Sequence, residues 1–254
     1  MRVVSLVPSW TETLIHWGIP IVGRTRYCIH PKNQLESIAV VGGTKDNHWK
    51  KIEELEPDLI VADKEENRQE ILEKTDVPLH VTHVEDLKSM PVELERFLEI
   101  FKNSPESVLN QITEDKKRWQ SVLAHKYSFT PETLPGIIHW IHKPEQKIEK
   151  ILYVIWKNPW MAVGKNTYIG SVLSHLGLES WLYDFEEKYP EIDLMDYADG
   201  KTLLLFSSEP YLFGKTEEIS EIAKLKAPSA IINGESFSWF GERSLSFLES
   251  TQSI

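Results

Sequence analysis

Six short apolar runs in this chain end on residues that can do chemistry, and three of those endings carry a tryptophan. Val3–Val7 leads into Ser9-Trp10. Ile21-Val22 leads into "GRTRYCIHP", with Arg24, Tyr27, Cys28 and His30. Leu59–Ala62 leads into "DKEEN", with Glu65 and Glu66. "ILYVIW", beginning at Ile151, leads into "KNPWM" with Trp160. Thr202–Phe206 leads into "SSEPYLF" with Glu209 and Tyr211, and Ala230–Ile232 into "NGESFSWFG" with Glu235, Phe237 and Trp239. Flat aromatic faces and a few polar groups at strand ends suit a large, planar, partly apolar ligand. Trp10, Trp160 and Trp239 are therefore expected to rim a binding site, with Ser9, Arg24, Tyr27, His30, Tyr211 and Glu235 as polar contacts. Trp17, Trp119 and Trp156 are expected to fill core.

Other chemistries find less support. Cys28 and His30 offer thiolate and imidazole donors at i, i+2, but no CxxC or HxxxH partner exists, and His80 and His83 do not complete a set. No dedicated metal site is expected. "VGKNT" (163–167) has the Gly-Lys pair of a P-loop. Pro159 replaces its first glycine, and Asn166 follows where Ser or Thr is needed. No GxSxG elbow occurs, and no catalytic residue is assigned. The 28 Lys and Arg stand against 39 Asp and Glu, a formal charge of −11, which argues against nucleic acid or an anionic membrane as partner. With one cysteine there is no intrachain disulfide. The N-terminus reads as strand from Val3, without a signal peptide, so the expected location is cytoplasmic, or periplasmic or extracellular if a leader has been removed.

The elements that must position these residues alternate. Pro8 ends the first strand. Ser9 and Glu12 have capping-box spacing, and Trp10–Trp17 reads as a helix stopped by Gly18. A helix capped by Asp46 or Asn47 through Leu55, a strand, a helix over "EENRQEILEKT" (65–75) and a strand over Leu79–Val84 follow. Strand–helix alternation predicts a mostly parallel sheet covered by helices. From Pro105 to about His125 the rhythm changes. Val108, Ile112, Trp119, Val122 and Leu123 mark one face of a single helix about 30 Å long. Residues 126–147 have three prolines and no period. A second alternating block runs from Ile151, with a helix ended by Gly177, strands at 202–206 and 230–232, and helices at 216–225 and 241–249. "PDLIVADKEEN" (57–67) and "KTLLLFSSEPY" (201–211) align without a gap at an offset of 144, placing Glu65 and Glu209 on equivalent turns. The predicted fold is α/β, with two lobes joined by one long helix: 1–103, the helix 104–125, a connection 126–149, and 150–254.

The segments "VVSLVPSWTETL", "VGRTRYCIHP", "VGGTKD", "LEPDLIVADKEEN", "ILYVIWKNPWMAVG", "SSEPYLF" and "GESFSWFGERS" resemble, in order, the helical-backbone substrate-binding proteins of ABC importers. The likeness is strongest to the cobalamin-binding branch of that cobalamin and ferric-siderophore receptor family. It spans nearly the whole chain except residues 126–147. The resemblance implies a monomeric, non-enzymatic receptor that holds a metal chelate, a corrinoid first, in a cleft between lobes. No covalent cofactor is implied. It further implies docking of Glu65 or Glu66, and of Glu209, onto arginines of a permease. The alternative is a cytoplasmic enzyme or chaperone acting on a tetrapyrrole or metal complex, with His30 or Glu235 in proton transfer or metal handover.

Overall fold

The computed structural model describes residues 1–69 and 75–252. The chain divides into two compact units. The first comprises Met1–Val84, Lys88–Val122 and Trp239–Leu248; the second comprises Glu85–Leu87, Leu123–Ser238 and the residues from Glu249 on.

The first unit is built on a five-stranded, wholly parallel sheet of order β3-β2-β1-β4-β5, from β1 (Val3–Ser5), β2 (Ile21–Arg24), β3 (Ala39–Val40), β4 (Leu59–Asp63) and β5 (Leu79–Thr82). Strands covered on both faces of a parallel sheet need no polar side, and every residue of β1 and β4 is buried. Helix α1 (Pro8–His16) follows β1, α2 (Trp49–Glu54) follows β3, and α3 (Ser89–Ile100), which the sequence pattern leaves unassigned, follows β5. Helix α4 (Glu106–Ala124) is the predicted long helix. Val108, Ile112, Trp119 and Val122 lie on its buried face as expected, and Asp115 shares that face.

The second unit carries a sheet of order β6-β10-β9-β7-β8, from β6 (Ile137–His142), β7 (Lys150–Trp156), β8 (Met161–Ala162), β9 (Thr202–Ser207) and β10 (Ser229–Ile232). The central β7, β9 and β10 are parallel, and the two edges are antiparallel. Residues 126–147, read from sequence as a connection, contain the edge strand β6. Its mixed "IIHWIH" string gives no alternation because one edge is left uncovered, and Ile138 is exposed. Helices α5 (Tyr168–Leu173), α6 (Thr216–Ile222), α7 (Gly234–Ser238) and α8 (Glu242–Thr251) complete the chain. Most of α8 belongs to the first unit.

Two local readings change. Helix α1 begins at Pro8, whose fixed φ suits the first helical position, with Val7 as an N-cap that makes no side-chain bond. Ser9 is thus inside the helix, and no capping box forms; Glu12 instead binds Arg243. Residues 65 and 66 of the expected helix 65–75 lie in a turn; residues 70–74 of it lie outside the described residues. Gly18 and Gly177 do adopt the left-handed conformation expected at helix ends (φ 78° and 94°).

Candidate functional site

In parallel α/β sheets the functional groups gather beyond the carboxyl ends of the strands. In the first unit, β1 delivers Ser9 and Trp10 into α1, and both are buried. Trp10 is fully enclosed: its indole N–H donates to Thr82 Oγ1 at 2.8 Å, and its ring meets Phe97 and Phe240 edge-on at 4.8 and 5.2 Å. The rim position expected of Trp10 is corrected here. Because Pro8 starts the helix at once, the indole swings inward over the sheet.

Strand β2 delivers the next set. Arg24 turns back on its own loop, donating Nη1 to the carbonyls of Thr25 (3.2 Å) and Cys28 (3.1 Å), so it braces residues 25–28. Cys28 points inward between the hydroxyls of Thr11 (3.0 Å) and Thr25 (3.2 Å). Burial pushes its thiol up, against the thiolate a metal would need. Its neighbours point the other way: Tyr27 is 52% exposed and Ile29 46%. The Arg26 guanidinium lies 5.1 Å from the Tyr27 ring centre. His30 is half-buried and meets Trp239 edge to face at 5.5 Å. Trp239 is only 7% exposed; the Arg243 guanidinium covers it at 5.6 Å, itself forked onto Glu12 (2.9 and 2.5 Å). Of the predicted contacts in this unit, the fold brings together His30 and Trp239 and leaves Tyr27 open to solvent.

In the second unit, Trp160 is half-buried, stacked on Phe213 at 5.9 Å with its edge to Phe206. Lys157 Nζ lies 5.7 Å from its ring and bonds Glu218 (2.9 Å) and Glu221 (2.7 Å); those carboxylates push the ammonium up to about 12. Glu218 also accepts from the Tyr211 hydroxyl at 2.8 Å. Trp156, assigned to the core from sequence, is 41% exposed and packs on Tyr211 at 5.6 Å. It is the last residue of β7, so its side chain emerges where the sheet ends. The Lys-Asn-Pro that follows it is the signal that could have shown this. Leu212, the residue after Tyr211, is 53% exposed. Glu235 is half-buried in the first turn of α7.

The two acidic turns are built differently. After β4, the Asp63 carboxylate is buried. It accepts from Thr82 Oγ1 (2.6 Å) and from the backbone N–H of Glu65 (2.9 Å) and Val84 (3.3 Å). Burial nevertheless raises its pKa, the hydrogen bonds opposing. Asn67 closes the turn from the other side, accepting from Asp63 N–H (3.0 Å) and donating to the carbonyls of Leu6 and Thr44. Glu65 is thereby held outward and exposed, 3.6 Å from His83 Nε2; Glu66 is half-buried. A cavity of about 520 Å³ opens on this turn, lined by Lys45, Lys64, Glu65, Asn67, Arg68 and Gln69; it shares none of the aromatic residues above. After β9, Ser207 Oγ donates to the Glu209 carbonyl (2.5 Å) and meets Tyr153 Oη at 3.3 Å. Glu209 is half-buried and its carboxylate accepts from Ser238 Oγ at 2.5 Å.

No protein-family model matches the chain, and the comparison with curated proteins yields no match. Solved structures do match. The periplasmic vitamin B12 binding protein of Vibrio cholerae is similar over 99% of this chain and 95% of its own, at 18% identity and TM-score 0.70. The periplasmic heme-binding protein of Roseiflexus sp. RS-1 is similar over 99% and 96%, at 13% identity and TM-score 0.72. That of Vibrio cholerae is similar over 100% and 98%, at 13% identity and TM-score 0.70. The chain has the fold of these proteins over its whole described length.

Proposed function

We propose that this chain is a non-enzymatic receptor for a flat metal chelate, a corrinoid or a haem, of the kind that serves an ABC importer. The observation that carries the reading is the full-length likeness of fold to proteins described as binding vitamin B12 and heme. The exposed aromatics at strand ends support it. Tyr27 and Ile29 in the first unit, and separately Trp156 and Leu212 in the second, are exposed apolar area of the kind a planar ligand uses, and Tyr27 and His30 carry the phenol and imidazole that could ligate a chelated metal. Glu65, and more weakly Glu66 and Glu209, are proposed to dock on basic residues of a permease. The outward Glu65 on its braced turn suits this better than Glu209, whose carboxylate already holds Ser238.

Titration with haemin and, separately, with aquocobalamin tests the reading, following tryptophan emission and the visible bands. One of the two is expected to saturate at low micromolar concentration, to be recovered chemically unchanged, and to lose about tenfold in affinity in Tyr27→Ala or His30→Ala. No change in emission or absorbance with either compound at tens of micromolar would overturn the ligand class. Conversion of the bound compound would overturn the non-enzymatic reading.

A further inference from the structure

Three helices of the first unit meet at a cluster of charges away from the strand ends. His16 closes α1, Asp115 lies on the buried face of α4, and Glu242 opens α8. His16 Nε2 lies 3.6 Å from both Asp115 Oδ2 and Glu242 Oε2. Arg118 donates Nη1 to Asp115 Oδ1 at 2.8 Å and to Glu242 Oε2 at 2.9 Å. Trp17 Nε1 donates to Asp115 Oδ2 at 2.7 Å, and the Glu242 backbone N–H donates to Thr13 Oγ1 at 3.1 Å. The Gln111 amide nitrogen meets His16 Nε2 at 3.0 Å and also donates to Asp115 Oδ1 at 3.4 Å, so protonation of the ring displaces this amide and leaves Asp115 to the imidazolium.

The charge count is uneven. Two carboxylates, one only 2% exposed and one 19%, face a single guanidinium. With a neutral imidazole the group carries −2 + 1 = −1; with a protonated one it is balanced. Leaving a buried carboxylate under-compensated is costly, and a cation at the end of α1 is also favoured by the helix dipole.

We propose that His16 is a pH-operated latch: protonated, it fastens the start of α8 to α1 and α4, and so fixes Trp239 in the pose that meets His30. The groups facing the imidazole act together. The contact with Asp115 raises the His16 pKa, burial opposes, and Glu242 adds to the rise while Arg118 subtracts. For Asp115, burial pushes up, but the contacts with His16, Trp17 and Arg118 outweigh it and hold the carboxyl low. A histidine raised in the folded state contributes stability fully below its unfolded pKa of about 6.5 and loses it as pH rises through the folded value. The latch is shut in mild acid and loosens toward alkaline pH, whether or not the chain binds a chelate.

Amide hydrogen exchange over residues 239–248 of the full chain, corrected for intrinsic pH dependence, tests this between pH 5.5 and 8.5. Wild-type protection is expected to fall two- to five-fold across the range, the scale of a partly exposed ion pair (about 0.5–1 kcal/mol). His16→Lys, with a permanent cation, is expected to stay high and flat. His16→Gln is expected to stay low and flat. If His16→Gln does not fold, the contrast between wild type and His16→Lys decides. A flat wild-type profile, or a His16→Lys profile that falls with pH as wild type does, would overturn the latch. So would micromolar Zn²⁺ binding by wild type that His16→Gln abolishes, since the cluster would then be a metal site.

Discussion

The turns after β4 and β9 occupy the same place in two parallel triplets, β1-β4-β5 and β7-β9-β10, and align residue for residue at the 144 offset. Yet Asp63 and Ser207, which end the paired strands, brace them by different means. Asp63 uses a buried carboxylate with three donors and throws Glu65 outward. Ser207 uses a hydroxyl, and the turn folds Glu209 back onto α7. The strand-turn scaffold thus tolerates either a carboxyl or a hydroxyl brace, and the glutamate two residues on points differently in the two turns. The two glutamates are therefore not presented alike: Glu65 is exposed, and Glu209 is half-buried against Ser238.

The largest expected effect comes from removing the carboxyl brace. Asp63→Ala leaves the buried Val84 N–H without its acceptor, removes that of the part-buried Glu65 N–H, and leaves the Thr82 hydroxyl only the longer contact to the Ala62 carbonyl. It should cost about 3 kcal/mol in urea unfolding of the first unit; a loss below about 1 kcal/mol would show that the brace is dispensable. Asp63→Asn keeps an acceptor and should cost markedly less. Its pH dependence follows from the raised Asp63 pKa: the folded state favours the protonated acid, so that contribution is present in acid and lost as pH rises through the folded value. The gap between Asp63→Asn and wild type should therefore change with pH over that window, and a constant gap would contradict the burial cause.

On the other side of the comparison, Gly234 lets α7 approach the β9 turn. An alanine methyl there would overlap Ser207 Oγ and come within 3.0 Å of the Glu209 backbone nitrogen. Gly234→Ala should cost about 1–3 kcal/mol, read by thermal unfolding. Ser207→Ala removes only a neutral brace and should cost about 1 kcal/mol. Smallest of all, Glu65→Gln should leave stability within about 0.5 kcal/mol of wild type. If it binds a permease-derived peptide as well as wild type does, the docking role falls.

Strand and helix alternation, the long helix α4 and the equivalence of β4 with β9 were legible because burial on one or two faces imposes a period on the string. Tyr27, His30 and Glu65 were legible as strand-end residues. Trp10 and Trp156 were not: the first is drawn into the core because Pro8 starts α1 immediately, and the second is pushed out because β7 ends on it. Neither outcome has a periodic signature. The edge strand β6 also escaped, because an edge is covered by little and needs no regular alternation.

The sequence by itself determined the α/β class and the residues offered at the strand ends, since apolar spacing encodes which faces must leave water. Only the tertiary structure decided which of those residues turn outward, and that His16, Asp115, Arg118 and Glu242 meet across as many as 226 positions of chain. Side-chain direction at an element's end, and charge pairing between distant helices, are set by packing in three dimensions and leave no local pattern to read.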